Sequence, residues 1–276
     1  MRVHHLNCGT MCPVAARWLL AHPEDPQPHL VCHCLLVETS VGLVLVDTGF
    51  GTRDRDPATS TLARDFCAMS GPRLSPEETA LAQIRARGFR AEDVRHIILT
   101  HLDPDHAGGL VDFPGAKIHV LRAEHDAANN PRSFGERRRY RKQQWEFGAD
   151  FRLYEAQGEA WKGFDAVRSL DGLPPEFLMV PLRGHTRGHA GVAIDCGHGW
   201  LLHAGDAYFY HGEMEQPPQC TSGLSLFQRV MAVDNAQRVL NQSRLRELIK
   251  SSGDDVRVFS AHDSCELAKQ RALSQP

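Results

Sequence analysis

Six consecutive residues bring together four side chains that can bind a metal ion. They are His101-Leu102-Asp103-Pro104-Asp105-His106, and Ala107-Gly108-Gly109 follows them. Imidazole and carboxylate donors together suit zinc, iron or manganese, and donors at positions 101, 103 and 105 can face one point from a tight loop. A solvated surface turn is the alternative interpretation, but four such donors at this density favour a metal site.

The elements that must position this cluster follow from hydrophobic patterning. Residues 95–100 form an apolar run that predicts a buried strand, so the cluster lies at the end of a strand. Similar runs predict strands at Leu30–Thr39, 43–46, Lys117–Leu121, Phe177–Pro181, Ala190–Asp195, Trp200–His203 and 256–260. Helices are predicted from a capping box at Ser75 to Gly88, near 135–147 and, as one long amphipathic helix, near 224–250.

Four further short motifs place a histidine or an aspartate beside small residues. They contain Asp47 (Val-Asp-Thr-Gly), His185 (Gly-His-Thr-Arg-Gly-His), Asp206 (His-Ala-Gly-Asp) and His262 (Ser-Ala-His-Asp). With the segment at 101–106, these motifs resemble, in order, the five motifs of the metallo-β-lactamase superfamily, whose second motif is H-x-H-x-D-H. The matches run from about residue 30 to 265 and cover nearly the whole chain.

The resemblance implies a fold and an arrangement of ligands. The fold is an αββα sandwich of the α/β (α+β) class with the site between the sheets, and we expect one domain over residues 1–276 with a helical insertion near 128–150. One ion would bind His101, Asp103 and His185, the other Asp105, His106 and His262, and Asp206 would bridge them. Asp47 would support the site without binding metal. His189 is an alternative extra ligand, although the resemblance puts it behind the site.

Asp103 departs from the family pattern, because a histidine usually stands at this position. A carboxylate adds negative charge and a harder oxygen donor. We therefore expect two divalent metal ions, with zinc favoured and iron or manganese as alternatives.

Two adjacent cations lower the pKa of a bridging water and so supply hydroxide near pH 7. We expect this hydroxide to be the nucleophile of a metal-dependent hydrolase, with Asp105 orienting it and moving its proton. Within the superfamily the motifs resemble the N-acyl homoserine lactonase-like branch, which favours a small lactone or ester substrate. That branch has a tyrosine three residues after the bridging aspartate, where this chain has Phe209, so Tyr208 is the candidate to support the oxyanion. The alternatives are an iron-dependent oxidoreductase of the sulfur dioxygenase kind, a small phosphodiesterase, and a non-catalytic binding protein.

Composition restricts the partners. The chain has 31 Lys and Arg against 34 Asp and Glu, a formal charge of -3, which gives no basic field for nucleic acid or an anionic membrane. No long apolar run and no secretory pattern at residues 1–5 occur, so we expect a cytoplasmic protein with a small-molecule substrate. The oligomeric state is left open.

Two other segments have competing interpretations. The basic run Arg137-Arg138-Arg139-Tyr140-Arg141-Lys142 is either a solvated helix face or a lid that binds an anionic group of the substrate, with Phe134, Trp145 and Phe147 as candidate apolar contacts. The set His4, His5, Cys8 and Cys12 has a spacing too loose for a zinc site, and an edge strand explains it.

Overall fold

Two β-sheets form the centre of the protein, and they include the strands predicted from the sequence. The computed structural model describes residues 1–14, 16–20, 28–165 and 170–274. The strands are β1 (Arg2–Met11), β2 (Leu30–Thr39), β3 (Gly42–Val46), β4 (Val94–Ile98), β5 (Lys117–Leu121), β6 (Asp150–Tyr154), β7 (Ala160–Trp161), β8 (Phe164–Asp165), β9 (Phe177–Pro181), β10 (Ala190–Asp195), β11 (Trp200–His203) and β12 (Val256–Phe259). One sheet has the order β1-β2-β3-β4-β5-β6, a second has the order β12-β11-β10-β9, and β7 pairs with β8.

Helices surround the two sheets. They are α1 (Ala16–Leu20), α2 (Arg64–Ser70), α3 (Ala80–Ala86), α4 (Pro104–Ala107), α5 (Arg122–Asn129), α6 (Phe134–Arg139), α7 (Ser222–Met231), α8 (Asn235–Ser252) and α9 (Ser264–Leu273). None of those in the described ranges is long and apolar enough to cross a bilayer.

Alternation along the strands separates the layers. In β3, Val44 and Val46 face the second sheet, whereas Leu43 and Leu45 face outward. The outward side chains pack with Ile84 of α3, and the outer face of the second sheet packs with α8. Helix, sheet, sheet and helix therefore form four layers, which confirms the predicted αββα sandwich.

The two sheets are joined by main-chain hydrogen bonds at one end. His33 N donates to Ala261 O at 2.8 Å, Val31 N donates to His262 O at 3.3 Å, and Ala190 N donates to Thr100 O at 2.9 Å. These bonds connect β2 to the loop after β12, and the start of β10 to the loop after β4. The motif residues lie at this end of the sandwich, which we call the stitched end because main-chain hydrogen bonds join the two sheets there.

The prediction of one long helix at 224–250 is wrong. The chain breaks between α7 and α8, where Val233 N donates to His185 O at 3.1 Å and Asp234 N donates to Gly184 O at 2.9 Å. The Asp234 side chain then caps α8 by accepting from Gln237 N. The break thus docks the helix pair onto the loop that carries His185.

The helix predicted at 135–147 also ends early. Helix α6 stops at Arg139, and Tyr140 adopts an extended backbone with its side chain buried against the first sheet, where Trp145 is also buried. Burial of these two aromatic side chains competes with continuing the helix. The segment 130–149 therefore connects α5 to β6 as one short helix followed by irregular turns.

The helix predicted from Ser75 begins later than expected. Pro76–Glu78 forms a single 3-10 turn without a side-chain cap from Ser75, and the hydroxyl of Thr79 caps α3 by accepting from Ala82 N. The helix ends at Ala86, two residues before Gly88.

A buried histidine on the first sheet is held in its neutral form. His119 of β5 is fully buried, with Nε2 2.9 Å from His96 Nδ1 and Nδ1 2.8 Å from Tyr154 Oη. Burial, and secondarily the neighbouring His96, lower the pKa of His119 to about 3. The charged groups that also act on it are Asp171, Lys117 and Arg152.

This histidine predicts loss of stability in acid. Between pH 6.5 and about 3, His119 is protonated in the unfolded chain but neutral in the folded protein. The free energy of unfolding should therefore fall as the pH is lowered through this range. One pKa unit corresponds to about 1.4 kcal/mol. Between pH 7 and pH 4 we therefore expect the free energy of unfolding of His119→Gln to fall by about 2–3 kcal/mol less than that of the wild type. Denaturant unfolding at pH 7, 6, 5 and 4 measures this. Replacement of the exposed His198 by Gln is the control, and equal slopes in the two variants would contradict the prediction.

Candidate metal centre

Five loops converge at the stitched end of the two sheets. Asp47 follows β3, residues 101–106 follow β4 and continue into α4, and His185 lies in the connection from β9 to β10. Asp206 follows β11, and His262 follows β12. All the motif residues predicted from the sequence are buried here, so the fold brings both halves of the chain to one place.

Six donor side chains form two compact groups. In each group, one donor atom of every residue lies within 4.8 Å of the others. The first group is His101, His185 and Asp206, and the second is Asp105, His106 and His262.

Asp206 lies between the two groups. Its Oδ2 is 3.3 Å from His185 Nε2 and 3.8 Å from His101 Nε2, whereas its Oδ1 is 3.2 Å from both His106 Nε2 and His262 Nε2. Asp206 Oδ2 is also 3.2 Å from His262 Nε2, so the carboxylate as a whole contacts histidines of both groups, as a bridging ligand must.

The donor set fits two divalent cations. Ligands about 2.0–2.1 Å from a tetrahedral ion lie about 3.3 Å apart, close to the separations around Asp206. Buried polar atoms also need partners, yet His101 Nε2, His106 Nε2 and Asp206 Oδ1 have no hydrogen-bond partner among the described residues. A cation in each group would satisfy these three atoms. Asp103 Oδ1, outside the two groups, also has no hydrogen-bond partner among the described residues.

The imidazoles are oriented from behind. His106 Nδ1 is 2.9 Å from Asp47 Oδ2, His262 Nδ1 is 2.8 Å from Val31 O, and His101 Nδ1 is 2.9 Å from the hydroxyl of Thr100. Donation from Nδ1 leaves Nε2 with a lone pair toward the site, as metal-binding histidines need.

Asp47 has the supporting position that the sequence predicts. It accepts hydrogen bonds from Thr100 N and Oγ1, both at 2.8 Å, besides its contact with His106. Burial would raise the pKa of this carboxyl, but attraction to His106 outweighs burial and the pKa lies below its ordinary value. Its φ of 55° is in the left-handed region, a strained conformation for an aspartate that the surrounding bonds maintain.

His189 lies behind the site, as the resemblance implies. Its Nδ1 is 2.9 Å from Leu182 O, and its Nε2 accepts from Asp206 N at 2.8 Å. Because both ring nitrogens are engaged, His189 positions Asp206 and has no lone pair left for a metal.

The charges of the two groups differ. Burial and, after it, the nearby Arg139 together lower the pKa of His185 to about 4, against the pull of Asp206. For His106 and His262 burial also acts to lower the pKa, but Asp206 and Asp105 outweigh it and the pKa of each is raised.

Asp103 forms an ion pair with the side chain of Arg139. Its Oδ2 is 3.4 Å from His101 Nε2 and 3.1 Å from His185 Nε2, and it accepts a hydrogen bond from Arg139 Nη1 at 2.7 Å. Asp103 is absent from both compact donor groups. Nothing in the sequence distinguishes Arg139 from the other residues of the basic run.

The two arginines before Arg139 in the basic run are exposed. Arg138 pairs with Asp65 and lies over the ring of the exposed Phe134, and Arg137 is exposed. Phe147 is also largely exposed. The solvated-face interpretation fits Arg137, whereas Arg138 and Arg139 line the larger cavity beside the donors, and of the residues in this run Arg139 contacts the donor cluster.

Glu124 of α5 is a second residue that the sequence did not reveal. It is fully buried and accepts hydrogen bonds from Leu102 N at 3.0 Å, Gly188 N at 3.0 Å and the hydroxyl of Thr186 at 2.6 Å. One carboxylate therefore fastens the loop of His101 to the loop of His185. A Cβ at Gly188 would lie 2.1 Å from Glu124 N, which explains the glycine in this motif.

The structure does not bring Tyr208 to the donor cluster. Its side chain is fully buried, and its hydroxyl donates to Glu266 Oε1 at 2.8 Å, within the layer that packs outside the second sheet. Phe209, the next residue, instead lines the cavity beside the donors, because successive side chains here point to opposite sides. The interpretation of Tyr208 as a catalytic residue is corrected accordingly.

An apolar cavity opens directly on the donors. Its floor includes Asp105, Asp206 and His262, and its walls are formed by Met11, Leu20, Phe66, Met69, Phe209, Phe227 and Met231. A larger cavity of about 720 Å³ adjoins it along Phe66, Met69 and Met231 and reaches Arg139. The site can therefore accept a ligand with an apolar part next to the metal-binding atoms.

A third group of donors has another explanation. His211, Asp263 and Cys265 also lie within 4.8 Å of one another. Asp263 Oδ1 caps α9 by accepting from Cys265 N and Glu266 N, and its Oδ2 accepts from His211 N and faces His211 Nδ1. This carboxylate is occupied in holding the loop after His262.

Comparison with known proteins decides the family. The model of the metallo-β-lactamase superfamily matches residues 28–262. The chain belongs to this superfamily. Proteins described as probable metallo-hydrolases of Mycobacterium tuberculosis and Mycobacterium bovis are 41% identical over 264 residues, which cover 95% of this chain and 80% of each relative.

More distant members include lactonases. An N-acyl homoserine lactonase of Bacillus cereus is 28% identical over 165 residues, which cover 59% of this chain and 57% of that protein. A crystal structure of an N-acyl homoserine lactone hydrolase, with the product N-hexanoyl-L-homoserine at its catalytic metal center, superposes with a TM-score of 0.70 at 22% identity. The match covers 97% of this chain and 95% of that one and shows a shared fold. The protein is thus a metallo-hydrolase of the superfamily with lactonase-like neighbours.

Proposed function

We propose that this protein hydrolyses a small lactone or ester with two divalent metal ions. The observation that supports this most directly is the apolar cavity whose floor is formed by donors of both groups, among them Asp105, Asp206 and His262. Such a cavity suits the apolar acyl part of a small molecule and holds its carbonyl beside the donors.

In this proposal the six clustered residues hold the ions. His101 and His185 bind one, Asp105, His106 and His262 bind the other, and Asp206 joins both. Ions bound there would lower the pKa of a shared water toward neutrality and polarise a substrate carbonyl.

The side chains supply the rest of the chemistry. Asp105 Oδ2 lies 3.6 Å from His262 Nε2 and 3.8 Å from His106 Nε2 and lines the cavity, so it can accept the proton of an attacking water and return it to the leaving oxygen. Phe66 and Phe209 exclude bulk water from the apolar side, which strengthens electrostatic interactions at the donors. His189 and Asp47 keep the ligands in place throughout.

Zinc is the metal that we favour. Four histidines and two or three carboxylates suit zinc, and the argument for iron or manganese depends on Asp103 as a ligand. Because Asp103 is paired with Arg139, that argument is weakened.

The test combines metal and substrate analysis. Protein purified without added metal is measured for zinc, iron and manganese per chain and is assayed with lactones, aryl esters and phosphodiesters. We expect up to two ions per chain after zinc addition and the highest kcat/KM for lactones or esters, at about 10⁴ M⁻¹ s⁻¹ or more for a good substrate. A stoichiometry that stays near one would overturn the two-ion form. Preferential phosphodiester cleavage, or oxygen consumption with thiols by an iron form, would replace the proposed reaction.

A further inference from the structure

Arg139 places a permanent positive charge at one of the two donor groups. Its Nη1 is 2.7 Å from Asp103 Oδ2 and 2.8 Å from His185 Nε2. A guanidinium stays protonated at any pH that the protein survives, and it can only donate hydrogen bonds. The lone pair of His185 that would bind an ion is therefore shared with a fixed cation.

The position of Arg139 is built by the fold. The side chain is only 7% exposed, and its Nη2 donates to Met231 O at the carboxyl end of α7. A helix carboxyl terminus carries partial negative charge, which favours a cation there. The break between α7 and α8 thus anchors Arg139 on one side while Asp103 anchors it on the other.

The second donor group has no comparable cation. In the described part of the chain, Asp105, His106 and His262 form ion pairs with each other and with Asp206 or Asp47, and none with Lys or Arg. Its own carboxylate, Asp105, is paired among the described residues only with histidines, which give up their protons when an ion binds. Asp103 at the first group is instead paired with a guanidinium that cannot lose its proton. The two groups therefore offer very different electrostatic environments to a divalent ion.

We propose that the two ion positions are unequal, and that Arg139 makes the position of His101 and His185 the weak one. An ion entering that position must displace the guanidinium from His185 or bind beside it against charge repulsion. Asp103 acts as the partner of Arg139 and is not a metal ligand. The position of Asp105, His106 and His262 fills first and retains its ion longest. This inference rests on the proposed two-ion function.

Graded removal of metal tests the proposal without measuring activity. Zinc-loaded full-length protein is dialysed against rising concentrations of a chelator, and zinc per chain is measured by elemental analysis. For the wild type we expect two release steps whose free-zinc midpoints differ at least tenfold. In Arg139→Met the weak step should tighten at least tenfold, while the tight step stays where it is. Arg138→Met removes a neighbouring exposed arginine and should release zinc like the wild type.

The unchanged tight step shows that a variant is folded and keeps its second group. If Arg139→Met does not fold, Arg139→Gln removes the same charge while it keeps a donor for Asp103, and it should tighten the weak step in the same direction. Two equal release steps in the wild type, or a weak step that is unchanged in the folded charge-removing variant, would overturn the inference and leave the proposed hydrolysis standing. A wild type that binds none of zinc, iron and manganese would overturn the proposed function itself.

Discussion

Replacing Asp206 with alanine should lower both metal content and hydrolysis more than any other single change at the donors. Its carboxylate lies 3.2–3.8 Å from four histidine nitrogens, two in each donor group. Loss of a residue that only supports a metal ligand typically costs 10–100-fold in affinity or activity, so loss of a bridging ligand should cost more than about 100-fold. Elemental analysis and kcat/KM for the best substrate of the panel measure the two effects.

The controls separate ligand loss from misfolding. Asp254→Ala removes an exposed carboxylate and should keep metal and activity. Circular dichroism of Asp206→Ala should show the wild-type content of helix and strand, because its main-chain nitrogen still donates to His189. If Asp206→Ala kept two ions per chain and full activity, Asp206 would not belong to the centre.

Glu124→Ala should be among the most destabilising substitutions in the protein. Its removal leaves Leu102 N, Gly188 N and the hydroxyl of Thr186 without their buried acceptor. Each unsatisfied buried group costs about 1–3 kcal/mol, and we expect a total loss of about 3–5 kcal/mol in the free energy of unfolding. Urea unfolding of the two proteins, with metal loading held equal, gives the difference.

The metal centre should respond as well, because Glu124 ties the loops of His101 and His185 together. Zinc release from the first group should become easier than in the wild type, while release from the second group changes less. The matched control is Glu155→Ala, which removes an exposed carboxylate paired with Arg122 and should cost less than about 1 kcal/mol. A stability loss for Glu124→Ala as small as that of Glu155→Ala would show that the three bonds contribute little.

The sequence predicts much of the fold, because alternation of side chains is a local property. The strands at Leu30–Thr39, Lys117–Leu121, Phe177–Pro181, Ala190–Asp195 and Trp200–His203 have the predicted bounds. The apolar side chains in each of these strands are those that point to a buried face of a sheet. The positions of the motif residues are predicted in the same way, because each lies in the loop or short helix that follows a buried strand.

Tertiary contacts explain where the predictions fail. The chain breaks at Val233 and Asp234 because their main-chain nitrogens donate to the loop of His185, and the Asp234 side chain then caps α8. Arg139 and Glu124 belong to no motif, because their partners come from loops distant in sequence. Tyr208 and Phe209 differ by one position along the chain, and this is enough to point one side chain outward and the other into the cavity.

The main-chain bonds that join the two sheets have a consequence for local unfolding. Val31, His33 and Ala190 donate them from buried positions beside the ligands. Segments rich in buried main-chain bonds open only in the larger cooperative unfolding events, and their amide protons exchange slowest with solvent. The donors therefore sit in a part of the molecule that is ordered by folding itself, and an arriving ion meets ligands whose conformational freedom has already been lost.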